Sequence, residues 1–204
     1  MIEFLSKKIT SFLYANNAIE KEDIEIYNYT FETIIAFFIN IFFILIIGWI
    51  LDRFVCTTIF LLFYCPIRQF SGGYHAENYK SCLLIFILIY IFNYIILEKF
   101  VIGKSIILFS LVTFISFVGV YRNSPFEHRE HSLSNAQRKK YKHIVLLGLT
   151  IDVAFSMIGI NFRSMYIHSI YILSVINIIY VMIILGKIKQ QLNQDSKNYY
   201  INNF

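Results

Sequence analysis

Charged residues are scarce in this chain. They make up 15% of its 204 residues, whereas a soluble domain carries about 25%. Hydrophobic residues make up 57% of the chain, and Ile, Phe and Leu are spread over most of its length. This composition excludes an ordinary soluble domain. It predicts an all-α fold, a polytopic transmembrane helical bundle of about six spans, which forms one membrane domain over residues 1–204.

Cysteine is also sparse, and its spacing is uninformative for disulfides and for zinc. The chain has three cysteines, Cys56, Cys65 and Cys82, all in or beside apolar stretches. An odd count without secreted-type spacing argues against a disulfide framework, and no CxxC pair suggests zinc. The basic residues form no patch interleaved with aromatic side chains. We therefore expect no metal, no cofactor and no nucleic-acid partner.

The N-terminal segment 1–28 lacks the uninterrupted apolar core of a cleavable signal peptide, so we expect none. Its apolar residues fall close to helical spacing, and Lys7 and Lys8 lie on the polar side; the apolar set is Ile2, Leu5, Ile9, Phe12 and Leu13. This pattern predicts an amphipathic helix. Such a helix lies either on the membrane surface or against the bundle, and the sequence does not choose between them.

Six apolar stretches predict the spans: Phe31–Leu51, Phe54–Ile67, Cys82–Leu97, Ile106–Tyr121, Ile144–Ile160 and Met165–Leu185. The second is short and ends beside Pro66, so it could be a broken or re-entrant helix. We favour a full span that continues through Arg68 and Gln69. The polar, Asn-rich tail 190–204 is expected to be frayed.

The distribution of positive charge predicts the orientation. If six spans leave both termini in the cytoplasm, fourteen of the eighteen Lys and Arg residues lie on the cytoplasmic side. Cytoplasmic loops carry such an excess, which supports keeping the second span. The polar loops between spans two and three and between spans four and five then face the cytoplasm. The basic loop 122–143 is interpreted as a topology signal and lipid anchor, or as a docking site for an acidic partner.

The segment between the second and third stretches, RQFSGGYHAENYKSC, carries the candidate chemistry. Gly72 and Gly73 permit a tight turn, His75 follows it, and Cys82 lies near the start of the next helix. A thiolate is favoured at a helix N-terminus or beside a cation, and an imidazole can take and return a proton. On one continuous helix the two residues would be about 10 Å apart, so His75 must lie off the Cys82 helix.

Other interpretations of these residues stay open. Cys82 could be a packing residue and His75 a solvated loop residue, and Glu77 or Asn78 could orient the imidazole. Asp152 is an ionisable residue inside the fifth stretch and therefore a functional candidate. A small transporter would use it with intramembrane asparagines, namely Asn40, Asn93 and Asn177. A non-enzymatic scaffold would use the basic loop, whose histidines are poor candidates for a metal site: His128, His131 and His143.

The ordered residues Arg68, Gly72, Gly73, His75, Ala76 and Cys82, with Asn123–Pro125 after the fourth span, resemble the accessory gene regulator B family of Gram-positive bacteria. Length, span number and charge layout resemble it over nearly the whole chain. The resemblance implies a quorum-sensing cysteine endopeptidase of the cell membrane, with a small membrane-associated propeptide as substrate and a homodimer as a possible assembly. A second proline often found in the later loop is replaced here by Ser132.

By that resemblance, His75 and Cys82 are the catalytic pair, and Arg68 with Gly72 or Gly73 supports them. Cys82 would form a thioester with the propeptide, and a cysteine or serine of the propeptide would then close a thiolactone or lactone ring. Chemistry adds Gln69 or Arg68 as donors to the oxyanion, together with backbone N–H groups near Cys82. Cys56 and Cys65 are expected to be packing residues.

Overall fold

A computed structural model of the chain describes residues 1–74, 78–101, 106–126 and 133–203. Seven α-helices account for most of this part: α1 (Ile2–Ala15), α2 (Ile24–Ile50), α3 (Phe54–Ser71), α4 (Tyr79–Ile96), α5 (Ile106–Asn123), α6 (Asn135–Ile160) and α7 (Tyr166–Asn203). A short 3₁₀ turn, Lys21–Asp23, precedes α2, and a π-helical turn, Leu97–Val101, follows α4.

The helices α2 to α7 are each long and apolar enough to cross a membrane, which confirms the polytopic helical bundle. Each has at least 18 residues, within the range that spans the hydrocarbon core. The second span does continue past Pro66, since α3 ends at Ser71 and includes both Arg68 and Gln69.

Helix α7 is the centre of the bundle. Of its most apolar segment 72% is buried, against 17% for α2. It packs against α3, α5 and α6, and residues such as Tyr171, Ile176 and Ile183 are fully buried. The surrounding helices turn other large side chains outward, as the exposed Phe42 and Phe155 show. The bundle is therefore built on α7, with α2 attached through α3 and α4, and α1 attached through α2.

Helix α1 packs on α2 through its small polar residues rather than through its apolar ones. Ser6 and Thr10 are buried, whereas Phe4 is 70% and Phe12 67% exposed. The Ser6 hydroxyl donates to a carboxylate oxygen of Glu32 on α2 at 3.3 Å. The two interpretations of the amphipathic helix are thus both partly met: α1 is attached to the bundle, and its apolar face is left available to a membrane surface.

Two helices extend further than their apolar stretches predict. Helix α6 begins at Asn135, where Ser134 and Gln137 form a reciprocal capping box, so the basic cluster 138–142 is helical. This cap satisfies N–H groups of the first turn and stabilises a helix start within a polar sequence. Helix α7 continues to Asn203, so the polar tail up to that residue is helical in the structure. A long apolar span provides a helical nucleus onto which polar residues add at little cost.

Candidate active site at the Gly72–Gly73 turn

The two glycines end α3 in the tight turn that the sequence predicts. Their φ angles are +69° at Gly72 and +125° at Gly73, in the region that disfavours side chains. A Cβ at Gly73 would lie 2.8 Å from Nη1 of Arg68 and 3.0 Å from the carbonyl oxygen of Met182. Both the backbone conformation and the close approach to α7 therefore require glycine here.

Backbone hydrogen bonds hold the chain around this turn against two other elements. The Tyr74 N–H donates to the carbonyl oxygen of Met182 on α7 at 2.8 Å, and the Phe126 N–H donates to that of Ser71 at 2.8 Å. Gly72 and Phe126 form a parallel bridge. The Gly-Gly motif thus meets the segment that directly follows Asn123–Pro125, so the two sequence signatures lie together in the fold.

Cys82 lies in the first turn of α4, as predicted, because the helix begins three residues earlier at Tyr79. Asn78 caps it: its side-chain oxygen accepts from the Ser81 N–H at 2.8 Å. The Cys82 N–H donates to the Asn78 carbonyl oxygen at 3.1 Å. The backbone N–H of Cys82 is therefore already engaged, so an oxyanion donor has to come from another group.

The Cys82 thiol is half-buried, and its polar neighbours are the Arg68 guanidinium and the Asn40 side chain. Asn40 belongs to α2 and Arg68 to α3, so three helices converge on the thiol. Nearby, the Tyr64 ring stacks on Phe86 with centroids 5.2 Å apart. Phe86 lies one helical turn after Cys82 on α4, and both rings are buried.

Arg68 connects the turn with the thiol. Its Nη2 donates to the Tyr74 carbonyl oxygen at 2.7 Å, and its charge also acts on Cys82. Its Nη1 is buried and has no hydrogen-bond partner among the described residues. A buried guanidinium N–H without a partner is costly, and it is suited to an anionic group of a bound molecule.

The remaining candidates from the sequence fall elsewhere. His75 and Glu77 lie outside the described residues, as do His128, His131 and Ser132. The Gln69 side chain is exposed, and in the described part no hydrogen bond joins it to Arg68 or Cys82. Within the same part, no group of three potential ligands could hold a metal ion.

A different cysteine–histidine contact was missed by sequence reasoning. At the opposite end of the bundle, the Cys56 sulfur lies 3.4 Å from Nδ1 of His168. Both line a cavity of about 450 Å³, beside the two-point ion pair of Arg53 with Glu98 at 2.7 and 2.9 Å. That carboxylate raises the pKa of Arg53 above its usual value. Cys56 and His168 are far apart in sequence, and no local motif predicts their contact.

The polar residues of a hypothetical transport path form pairs between helices. Asn93 of α4 donates to the Ser174 hydroxyl at 3.1 Å, and Asn177 of α7 donates to the Thr113 hydroxyl at 3.0 Å. Such pairs hold membrane helices together. Asp152 is buried on α6, and its Oδ2 has no hydrogen-bond partner in the described structure.

The comparison with known families agrees with this geometry. The family model for accessory gene regulator B matches residues 6–190, which include the turn, Cys82 and the whole bundle up to the last turns of α7. The chain belongs to the accessory gene regulator B family. Family membership gives it a role in the processing of the autoinducing peptide of a quorum-sensing system.

Two curated relatives of this accessory gene regulator B chain come from Clostridium perfringens. AgrB-like protein 2 of strain 13 / Type A is 28% identical over 148 residues, which cover 69% of this chain and 68% of the relative. An AgrB-like protein of strain SM101 / Type A is 27% identical over 145 residues, with the same coverage of both chains. No solved structure matches the chain.

Proposed function

We propose that this chain is a cysteine endopeptidase that cuts a small membrane-associated propeptide, with Cys82 as nucleophile and His75 as its base. The observation that carries the proposal is the position of Arg68. Its guanidinium binds the carbonyl of Tyr74, the residue bonded to His75, and is also a polar neighbour of the Cys82 thiol. One side chain therefore binds the backbone of the residue before His75 and lies beside the Cys82 thiol.

The surroundings of Cys82 suit a nucleophilic thiol. It lies in the first turn of a helix, where unpaired N–H groups carry partial positive charge. Burial of the thiol disfavours the thiolate, and the nearby Arg68 guanidinium offsets part of that cost. Burial of the Tyr64–Phe86 pair beside it limits water, which matters because a thioester must survive until the peptide itself attacks it.

The reaction then runs in two acyl transfers. The Cys82 sulfur forms a bond to the scissile carbonyl carbon as His75 takes the thiol proton, and the C–N bond breaks as the imidazolium returns that proton to the leaving amine. A cysteine or serine of the propeptide then attacks the thioester, loses its proton to His75 and closes the ring. Cys82 leaves as thiolate and is reprotonated. Nη1 of Arg68 is the proposed donor to the oxyanion, with Gln69 as a second candidate.

The location follows from the charge distribution. We place the turn, the basic start of α6 and both termini on the cytoplasmic side of a Gram-positive cell membrane, because cytoplasmic segments carry the excess of Lys and Arg. The site then faces the cytoplasmic side of the membrane, where the propeptide is synthesised. A homodimer in the bilayer is compatible with the exposed apolar faces of the outer helices.

Co-expression with a short Cys- or Ser-containing propeptide, to be sought among the genes beside this one, tests the proposal. Cys82→Ala and His75→Ala should abolish cutting, measured by mass spectrometry of the peptide products. Cys82→Ser should give a slow or trapped ester. Cys56→Ala is the matched control, since Cys56 contacts a histidine, His168, at the other end of the bundle; it should cut normally. The assignment would be wrong if Cys82→Ala cut the propeptide normally. It would also be wrong if Cys56→Ala were the only one of these variants that failed to cut.

A further inference from the structure

One carboxyl group near the start of the second helix joins three helices. Glu32 belongs to α2 and is half-buried. Its Oε2 accepts from the Tyr79 hydroxyl of α4 at 3.0 Å. Its Oε1 accepts from the Asn28 side-chain amide at 3.0 Å and from the Ser6 hydroxyl of α1 at 3.3 Å. Glu32 is thus an ionisable residue at the start of a membrane span, which makes it a candidate for function.

The Tyr79 hydroxyl links this carboxyl group to the candidate active site. Tyr79 is the first residue of α4 and Cys82 follows three residues later, so the two side chains are neighbours on one helical face. The Thr33 side chain also approaches the Tyr79 hydroxyl, but its own hydroxyl donates to the Tyr29 carbonyl oxygen at 2.9 Å. The Glu32 carboxylate is therefore the acceptor that holds this tyrosine.

A second polar contact between α2 and α4 involves the thiol itself. The Asn40 side chain, two helical turns after Glu32 on α2, is a polar neighbour of Cys82, as Arg68 is from α3. The first turn of a helix has fewer backbone hydrogen bonds than its interior, so it depends on contacts of this kind. Loss of the contact at Tyr79 would let the turn shift relative to Asn40 and Arg68. A misplacement of about 1 Å can lower a rate about 100-fold.

We propose that Glu32 is a positioning residue for Cys82: its bond from Tyr79 holds the first turn of α4, and with it the thiol, against α2 and α3. The inference rests on the proposed peptidase function and adds a residue that no motif in the sequence contains. The role requires an acceptor oxygen rather than a charge. The link to α1 is secondary, because the Ser6 hydroxyl makes a shorter contact with the Glu3 carbonyl oxygen, at 3.0 Å.

Kinetics of propeptide cutting test the role. Tyr79→Phe keeps the ring and removes the hydroxyl, while Glu32→Ala removes its acceptor; each should lower kcat at least about tenfold, with KM within about twofold. The double variant should cut no more slowly than Glu32→Ala, because both changes break the same contact. Glu32→Gln keeps a side-chain oxygen that can accept from Tyr79, so it should recover most of the kcat that Glu32→Ala loses.

Tyr171→Phe is the matched control. The Tyr171 hydroxyl donates to Oε1 of Glu98 at 3.3 Å, so this change also removes a tyrosine–glutamate hydrogen bond, but at the end of the bundle that contains Cys56 and His168. It should leave kcat and KM per folded molecule unchanged. An equal loss of kcat in Tyr171→Phe and Tyr79→Phe would reveal a general effect on packing and overturn the inference.

Crosslinking measures the position of the thiol without the substrate. In a chain with Cys56→Ala and Cys65→Ala, the change Asn40→Cys leaves two thiols, at positions 40 and 82, which a short bifunctional thiol reagent should join. Adding Tyr79→Phe should lower the rate of this crosslink. If kcat falls in Tyr79→Phe while the crosslinking rate stays the same, Tyr79 does not act through the position of the thiol, and the inference is wrong.

The remaining outcomes separate this inference from the function on which it rests. If Cys82→Ala does not cut the propeptide but Tyr79→Phe and Glu32→Ala both keep the kcat of wild type, Glu32 has no positioning role and the peptidase function stands. If Cys82→Ala cuts normally, the peptidase function fails, and the positioning role fails with it.

Discussion

Gly72 and Phe126 pair through their backbones, although the helices α4 and α5 separate them in the sequence. The pairing lies against α7, where a Cβ at Gly186 would meet the Phe126 ring at 2.8 Å and the Tyr74 nitrogen at 3.0 Å. Glycine is thus required on both sides of a close contact. The turn that precedes His75 is positioned by the whole bundle rather than by its own sequence alone.

Gly72→Ala should destabilise this junction. Gly72 has φ +69° and ψ −157°, a backbone region that is essentially restricted to glycine and costs other residues about 1–3 kcal/mol. The new methyl group would also collide with the Phe126 carbonyl. We expect a lower midpoint of thermal unfolding in detergent and a loss of propeptide cutting larger than the loss of folded protein. Size-exclusion yield and cutting per folded molecule separate the two effects.

Gly148→Ala is the control for this variant. Gly148 has helical backbone in α6, and an added methyl group would lie 2.6 Å from Cγ1 of the buried Ile67, so this side chain would have to shift while the backbone stays helical. Alanine also favours the helix by about 1 kcal/mol relative to glycine. Cutting per folded molecule should therefore stay close to that of wild type. An equal loss in both variants would show that the Gly72 turn has no special part in the site.

Arg68→Lys should lower cutting even though the charge is kept. Lysine lacks the planar fork that lets Nη2 bind the Tyr74 carbonyl while Nη1 stays available to a bound group. The loss of one charge-assisted hydrogen bond amounts to about 1.5–3 kcal/mol, which corresponds to a decrease of about 10- to 100-fold in kcat/KM. Initial rates of propeptide cutting measure it.

Arg163→Lys makes the same exchange on an exposed residue between α6 and α7, at the other end of the bundle. It should leave kcat/KM unchanged. If Arg68→Lys is as active as this control, then neither the fork nor the unpartnered Nη1 contributes, and oxyanion stabilisation has to be assigned to a different donor.

The spans could be predicted because apolar length is a local property of the sequence, and the turn because paired glycines have few other uses beside a helix end. The start of α6 required recognition of the Ser134–Gln137 capping box within a basic loop. The contact of Cys56 with His168 could not be predicted in this way. It depends on how helices distant in sequence pack together, and no periodicity or short motif encodes that arrangement.

Asp152→Asn separates the peptidase from a transport function. The carboxyl group is 1% exposed, and its Oδ2 lacks a hydrogen-bond partner within the described residues, so its burial is costly. The amide has nearly the same shape but cannot exchange a proton. We expect cutting within about twofold of wild type, since a peptidase acts through Cys82, and an equal or higher unfolding temperature. A decrease of cutting by more than about tenfold at unchanged stability would give Asp152 a direct part in the reaction.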